Sequence, residues 1–128
     1  MGKDSANRYI GIDVRSADDL TTVRMFGEHD ISSAPDIEQT LRELLLSGTD
    51  LLVDLSGLTF ADSSVLRVLL QQSETAVGNG CAFVVLVPEV PASAAVRRVI
   101  QLTQLEQALS IFSNRERAVE HARKTHER

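Results

Sequence analysis

The sequence contains very few of the residue types on which several common functions depend. Of its 128 residues, only Cys81 is a cysteine, none is tryptophan, and 4% are aromatic. A single cysteine excludes an internal disulfide and a metal site built on paired cysteines. Cys81 is most simply a small buried residue at the start of a strand, with a redox sensor as the alternative. The scarcity of aromatic residues means that the core must be aliphatic.

Long apolar runs and an excess of positive charge are also missing. No apolar stretch approaches the roughly 20 residues of a membrane helix, and the polar residues 1–8 lack the apolar region of a signal peptide. We therefore expect a cytoplasmic protein without a membrane segment. The formal net charge of −5 argues against nucleic-acid binding, because neutralising phosphates requires clustered Lys and Arg.

The composition that remains is ordinary for a globular domain, with 43% hydrophobic and 24% charged residues. The length predicts one domain over residues 1–128. We expect its core to span about 9–122, with residues 1–8 and 123–128 loose. We find no internal repeat.

Hydrophobic periodicity predicts an α/β fold with the order β-β-α-β-α-β-α-β-α. Apolar residues alternate over 10–14 and again over 20–26, which predicts two strands paired as a hairpin. Helices are predicted from Ser33 to Gly48, after Asp62, around Val96, Val99 and Ile100, and after a capping box at 113–116. Strands that alternate with helices favour parallel pairing by right-handed crossovers. The result is a mixed sheet of about five strands with four or five helices.

The most informative stretch is LLVDLSGLTFADSSVLRVLL, residues 51–70. Its first five residues predict a buried strand, which Ser56-Gly57 should break. Asp62-Ser63-Ser64 then precedes a helix whose apolar face should include Leu66, Leu69, Leu70 and Val77. Asp and Ser are preferred helix caps, so this cluster should lie where a helix N-terminus reaches the surface.

Three motifs in this order resemble the STAS domain family, and within it the stand-alone anti-sigma-factor antagonists. The first is Asp62-Ser63-Ser64-Val65-Leu66 after a strand that ends in Asp54-Leu55. The second is Gly27-Glu28-His29-Asp30 with Ser33-Ala34, and the third is VRRVIQLTQL at 96–105. The match covers about residues 9–122. Val65 and Gln104 depart from it, because each stands where the family usually has glycine.

The resemblance implies a non-enzymatic regulator of transcription in a stress response that requires no cofactor or metal. The implied partner is an anti-sigma factor, a serine kinase of histidine-kinase-like ATPase fold, which the unphosphorylated protein binds so that a sigma factor is released. Phosphorylation of Ser63, or as second choice Ser64, would end that binding. The partner surface would include Asp30, Asp62, Ser63, Ser64, Val65 and Arg67. We expect a monomer or weak dimer.

The residues themselves leave alternatives open. Ser63 can be a phosphoacceptor or only a helix cap, and Asp30 can belong to the interface or bond only its own turn. Val65 can point outward into the interface or inward into the core. Arg67, four residues after Ser63, can contact a phosphate there or remain solvated. The alternative function is a STAS scaffold or ligand-binding module without a phosphoswitch.

Other chemistries fit the sequence poorly. A serine hydrolase would need a G-x-S-x-G elbow and an Asp placed to orient His29, but the only nearby Asp is the adjacent Asp30. His29 itself is predicted to be a solvated loop residue rather than a pH switch. Gly78-Asn79-Gly80 lacks the Gly-Lys-Ser/Thr of a phosphate-binding loop and indicates a helix end.

Overall fold

A computed structural model describes residues 6–7, 11–17 and 19–126, with only the backbone at 6–7. The predictions for Ile10 and for residues 1–5, 8 and 127–128 of the two terminal segments lie outside the described residues. The described part forms six strands and four α-helices. They are β1 (Ala6–Asn7), β2 (Ile12–Ala17), β3 (Leu20–His29), α1 (Ala34–Leu46), β4 (Asp50–Ala61), α2 (Ser63–Gly78), β5 (Phe83–Leu86), α3 (Ala94–Thr103), β6 (Ser110–Phe112) and α4 (Arg115–Lys124).

All six strands form one mixed sheet whose spatial order, β1 to β6, equals the order in the chain. The pairs β1–β2 and β2–β3 are antiparallel, and β3 to β6 are parallel neighbours. This confirms the predicted α/β fold with a hairpin at its start and helical crossovers after it. The two-residue β1 is an additional strand, because residues 6–7 were expected to be loose.

The two faces of the sheet carry separate cores because alternate strand residues point to opposite sides. Leu51, Val53 and Leu55 of β4 belong to the main core, which α1, α2 and α3 cover. Leu52 belongs to a smaller core on the other face, under Ala118 and Ala122 of α4. The chain is therefore a three-layer structure with a continuous apolar strand at its centre, as fully buried parallel strands usually are.

The central strand β4 is longer than expected, because Ser56-Gly57 does not break it. The register with β3 shifts twice, between Arg24 and Phe26 and again between Gly27 and Glu28, so β4 contains extra residues as bulges. A Cβ on Gly57 would lie 2.6 Å from Nη2 of Arg24 and 2.9 Å from Cβ of Phe26. Glycine at this bulge therefore lets β3 side chains pass close to the β4 backbone.

Several local expectations differ from the structure. Val77 was assigned to the apolar face of α2 but is 80% exposed, since the buried stripe ends at Gln72 and Ala76. The cap of α4 is Asn114 rather than Ser113, and α4 continues to Lys124, into the segment expected to be loose.

Candidate functional site

The two motifs with serine and aspartate converge at the carboxyl edge of the sheet. His29, the last residue of β3, pairs in register with Ala61, the last residue of β4. Asp30 and Asp62 follow these two positions directly, and each leads into a helix. Parallel strands deliver their C-terminal loops to one edge, which is where open α/β sheets bind ligands. The structure thus places both aspartates together.

Asp62 is the N-cap of α2. Its Oδ1 accepts hydrogen bonds from the amides of Ser64 at 3.0 Å and Val65 at 3.4 Å, and from the Ser64 hydroxyl at 2.5 Å. The backbone at Asp62 is extended (φ −95°, ψ −178°), as a cap requires. The capping alternative for Ser63 is therefore wrong, because Ser63 is the first residue of the helix and its neighbour supplies the cap.

Asp30 repeats this arrangement at the end of β3. Its Oδ1 accepts hydrogen bonds from the Ser32 amide at 2.9 Å and the Ser32 hydroxyl at 2.6 Å. Asp30-Ile31-Ser32 and Asp62-Ser63-Ser64 are consequently two copies of one Asp-x-Ser turn on neighbouring strands. Asp30 does bond its own turn, and it is also exposed beside the second turn.

Both carboxylates are held in the ionised state. Hydrogen bonds from the Ser32 hydroxyl and amide lower the pKa of Asp30. Hydrogen bonds from the Ser64 hydroxyl and the first-turn amides lower the pKa of Asp62, although the negative charge of Asp30 acts in the opposite direction. The two turns therefore present a pair of interacting negative charges at one edge of the sheet.

The two serines of the second turn differ in what their hydroxyls do. The Ser64 hydroxyl is half-buried and donates to Asp62. Ser63 is exposed, and its hydroxyl forms no hydrogen bond with any residue that the structure describes. A modifying enzyme can reach Ser63 without breaking a hydrogen bond, whereas modifying Ser64 would remove part of the helix cap.

Val65 and Arg67 lie on opposite sides of α2. The side chain of Val65 is 0% exposed and belongs to the main core, so the inward alternative is correct. Val65 was wrongly included among the residues that contact a partner, because a side chain packed under the helix cannot reach one. Arg67 is exposed one turn after Ser63, and within residues 11–17 and 19–126 it forms no ion pair.

His29 is buried, which contradicts the expectation of a solvated loop residue. Only 2% of its surface is exposed. Its Nε2 lies 3.1 Å from the Phe26 carbonyl oxygen and 3.3 Å from that of Gly11, and its Nδ1 lies 2.9 Å from Ser33 Oγ. Carbonyl oxygens only accept hydrogen bonds, so Nε2 carries a hydrogen and donates. His29 thereby ties the start of β2 and the end of β3 to the start of α1.

Two exposed apolar side chains beside the aspartates were not predicted from the sequence. Ile31, in the middle of the first turn, is 73% exposed, and Phe60, two residues before Asp62, is 49% exposed. Comparing DIS at 30–32 with DSS at 62–64 would have shown Ile31 to be equivalent to Ser63 and equally outward. Exposed apolar residues within a polar rim are typical of protein interaction sites.

Within the described residues, no group of three or more His, Cys, Asp or Glu side chains could hold a metal ion. No helix within them is long and apolar enough to cross a membrane.

Solved structures with the same fold include regulators of sigma factors. The chain is similar to an anti-sigma factor antagonist from Mycobacterium paratuberculosis, with 26% identity, a TM-score of 0.77 and coverage of 88% of this chain and 92% of that one. An anti-sigma-factor antagonist (STAS) domain protein from Planctomyces limnophilus has 18% identity and a TM-score of 0.71, with coverage of 88% of this chain and 97% of that one. The phosphorylated form of the Bacillus cell fate determinant SpoIIAA has 19% identity and a TM-score of 0.62, with coverage of 86% of this chain and 97% of that one. The latter two likenesses concern the fold alone.

The comparison with sequence families agrees with the structural one. No curated protein matches the sequence. A family model described as "Mlab, STAS domain" matches residues 12–112, from the start of β2 to the end of β6. The resemblance of the three motifs is thus confirmed over most of the fold, and the chain belongs to the STAS domain family.

Proposed function

We propose that this protein is an anti-sigma-factor antagonist, a non-catalytic cytoplasmic regulator of transcription that phosphorylation of Ser63 switches off. One observation carries the proposal: Ser63, the first residue of α2, is exposed beside the ionised Asp30 and Asp62, and its hydroxyl forms no hydrogen bond with a described residue. The likeness to a solved antagonist at 26% identity supports it. The proposed partner is an anti-sigma factor that is also a serine kinase of histidine-kinase-like ATPase fold.

The proposed switch acts through charge. A phosphate adds a charge of about −1.5 to −2. A helix N-terminus would attract it by about 0.3–1 kcal/mol, but the amides of Ser64 and Val65 already donate to Asp62. The phosphate must therefore compete with one carboxylate for these amides while a second, Asp30, repels it. It is expected to project outward and to change the surface that the partner meets.

The partner-binding surface combines negative charge with apolar contact area. The anti-sigma factor should meet the two turns and the first turn of α2, with Ile31 and Phe60 supplying the apolar contacts. Val65 acts only from below, by fixing the first turn of α2 in the core. The proposed surface consists of Asp30, Ile31, Phe60, Asp62, Ser63, Ser64 and Arg67.

Arg67 is proposed to contact the phosphate once it is attached to Ser63. It lies four residues after Ser63, so both are on one face of α2, and a guanidinium can form charge-assisted hydrogen bonds to phosphate oxygens. Phosphorylation should then raise the melting temperature more in the natural protein than in Arg67→Ala. An equal change in both proteins would remove Arg67 from the switch.

The experiment that tests the function begins with capture of the partner. The tagged full chain is used to co-purify an ATPase-type protein, and the purified pair is incubated with ATP and analysed by phosphopeptide mass spectrometry. We expect one phosphate at Ser63 and none in Ser63→Ala, whereas Ser64→Ala should still be phosphorylated at Ser63. Modification of Ser64, or of neither serine, would contradict the proposal.

The effect on affinity is measured separately by titration calorimetry. Ser63→Ala should bind the anti-sigma factor nearly as tightly as the natural protein, because the hydroxyl is small and unbonded. Ser63→Asp should bind more weakly, because it adds a carboxylate beside Asp62. Equal affinity of the two variants would refute the charge switch.

The alternative of a STAS scaffold or ligand-binding module without a phosphoswitch depended on Val65 in place of the family glycine. The burial of Val65 leaves the surface around Ser63 open, which supports the antagonist.

A further inference from the structure

A second candidate site lies at the end of the sheet opposite Ser63. A cavity of about 410 Å³ opens between α4 and the first residues of β3 and β4. Strand β4 has 12 residues, and at about 3.3 Å per residue its two ends are about 35 Å apart. The volume is within the range of about 300–1,000 Å³ that small-molecule sites usually have.

The lining of this cavity divides into an aliphatic floor and a polar rim. The floor contains Leu20 and Val119, which pack against the smaller core, and the buried Ala122. The rim contains Arg115, Arg123, His126, Asp19 and Asp50. The floor residues are all aliphatic, so the floor suits an aliphatic group better than a flat ring.

The rim carries two carboxylates, Asp19 and Asp50, and two guanidinium groups, Arg115 and Arg123. The Asp50 carboxylate already has partners, because its oxygens lie 2.8 Å from His126 Nε2 and accept a hydrogen bond from the Ala82 amide at 2.8 Å. Neither Arg115 nor Arg123 forms an ion pair with a described residue. The two guanidinium groups are therefore available to an anionic ligand.

Arg115 is also held in position. Its Nη2 donates to Thr22 Oγ1 at 2.8 Å, a contact between α4 and β3. A hydroxyl leaves the guanidinium charge uncompensated, and the group has five N–H donors in a fixed planar arrangement that matches the oxygens of a carboxylate or phosphate. The contact thus orients a cation over an aliphatic floor without neutralising it.

We infer that this cavity is a binding site for a small organic anion, with a carboxylate or phosphate head at Arg115 and Arg123 and a short aliphatic body on Leu20, Val119 and Ala122. The natural source is either a free metabolite or a lipid that presents the same groups. The inference does not depend on the proposed function, because the site shares no residue with the surface around Ser63.

The test uses octyl phosphate as the probe on the isotope-labelled full chain, followed by two-dimensional NMR. We expect saturable shifts confined to α4 and to the starts of β3 and β4. Two comparison compounds separate the head from the body: inorganic phosphate and octyl glucoside should each bind at least tenfold more weakly. Equal binding of octyl glucoside, or shifts spread over the molecule, would overturn the inference.

Substitutions locate the head group. Arg123→Gln should weaken octyl phosphate binding at least fivefold. Arg117→Gln removes the same charge from the same helix, but Arg117 does not line the cavity, so this control should bind as the natural protein does. Equal weakening by both substitutions would mean that the helix attracts anions without a defined site, and the inference would fail.

A second arm distinguishes the sources. The measurement is sedimentation of the protein with phosphatidylglycerol vesicles. Binding to the vesicles that is weaker in Arg123→Gln and is competed away by octyl phosphate would identify a lipid head group as the ligand. Octyl phosphate binding without vesicle binding would identify a free organic anion. Binding of neither probe would overturn the site.

Discussion

Replacing Gln104 by glycine should stabilise the protein. Gln104 ends α3 with φ +58° and ψ +27°, and it is the only non-glycine residue with positive φ within the described ranges. A left-handed conformation costs an L residue about 1–2 kcal/mol, whereas glycine adopts it freely but loses about 0.5–1 kcal/mol more backbone entropy on folding. The exposed Gln104 side chain forms no hydrogen bond with the described residues. Gln104→Gly should therefore raise the free energy of unfolding by about 0.5–1 kcal/mol.

Urea denaturation with a two-state fit measures this difference, and the melting temperature should rise by about 2–4 °C. Gln101→Gly is the matched control, because it makes the same change at an exposed position inside α3. It should destabilise the protein by up to about 1 kcal/mol. Gln104→Ala should change stability by only a few tenths of a kcal/mol, because alanine keeps the strain. If Gln104→Gly were as destabilising as Gln101→Gly, the assignment of strain to Gln104 would be refuted.

Three further predictions concern the site and its support. Val65→Gly should lower the free energy of unfolding by about 3 kcal/mol, because it removes core packing and helix propensity. The control Val77→Gly, on the exposed side of α2, should lower it by less than about 0.5 kcal/mol. Similar losses in the two variants would contradict the burial of Val65. His29→Leu should lower the free energy of unfolding by about 2–3 kcal/mol, because the carbonyls of Gly11 and Phe26 lose their hydrogen-bond donor. Amide hydrogen exchange should also become faster at Ser33, and an unchanged rate would show that His29 does not hold this turn. Asp62 has a lowered pKa, so it stabilises the fold above about pH 4 and this contribution disappears as the pH falls through its folded pKa. Asp62→Ala should thus cost less stability at pH 2.5 than at pH 7 in urea titrations, and an equal loss at both pH values would refute its role as an ionised cap.

The elements that the sequence predicted correctly are those whose periodicity and local chemistry agree. The apolar run at 51–55, a helix cap within Asp62-Ser63-Ser64 and the helix stop at Gly48 each depend on residues close in sequence. Such local rules also predicted the order of strands and helices. The position of Asp30 beside Asp62 was instead implied by the family resemblance, and the structure explains it by two parallel strands that end at the same edge.

The errors arose where a partner distant in sequence decides the conformation. Ser56-Gly57 looked like a break, but pairing with β3 keeps the strand continuous through two bulges. His29 looked like a loop residue from its neighbours in sequence. The carbonyl of Gly11 that holds it in the interior is 18 positions away, so the local pattern does not reveal this contact. Val77 fits a helical stripe, yet α2 extends beyond the elements that would cover it. The direction of Val65 could not be decided because its neighbours in the core come from other helices and strands.

The identity between strand order and chain order has a consequence for synthesis on the ribosome. Since no strand inserts between two that precede it, each new strand can join an edge that already exists as the chain emerges from its N-terminus. A nascent chain that ends after α2 already contains both Asp-x-Ser turns and the strands that align them. The cavity under α4 can form only when the last quarter of the chain has been translated. The two ends of the sheet are thus completed at different times, and the surface around Ser63 comes first.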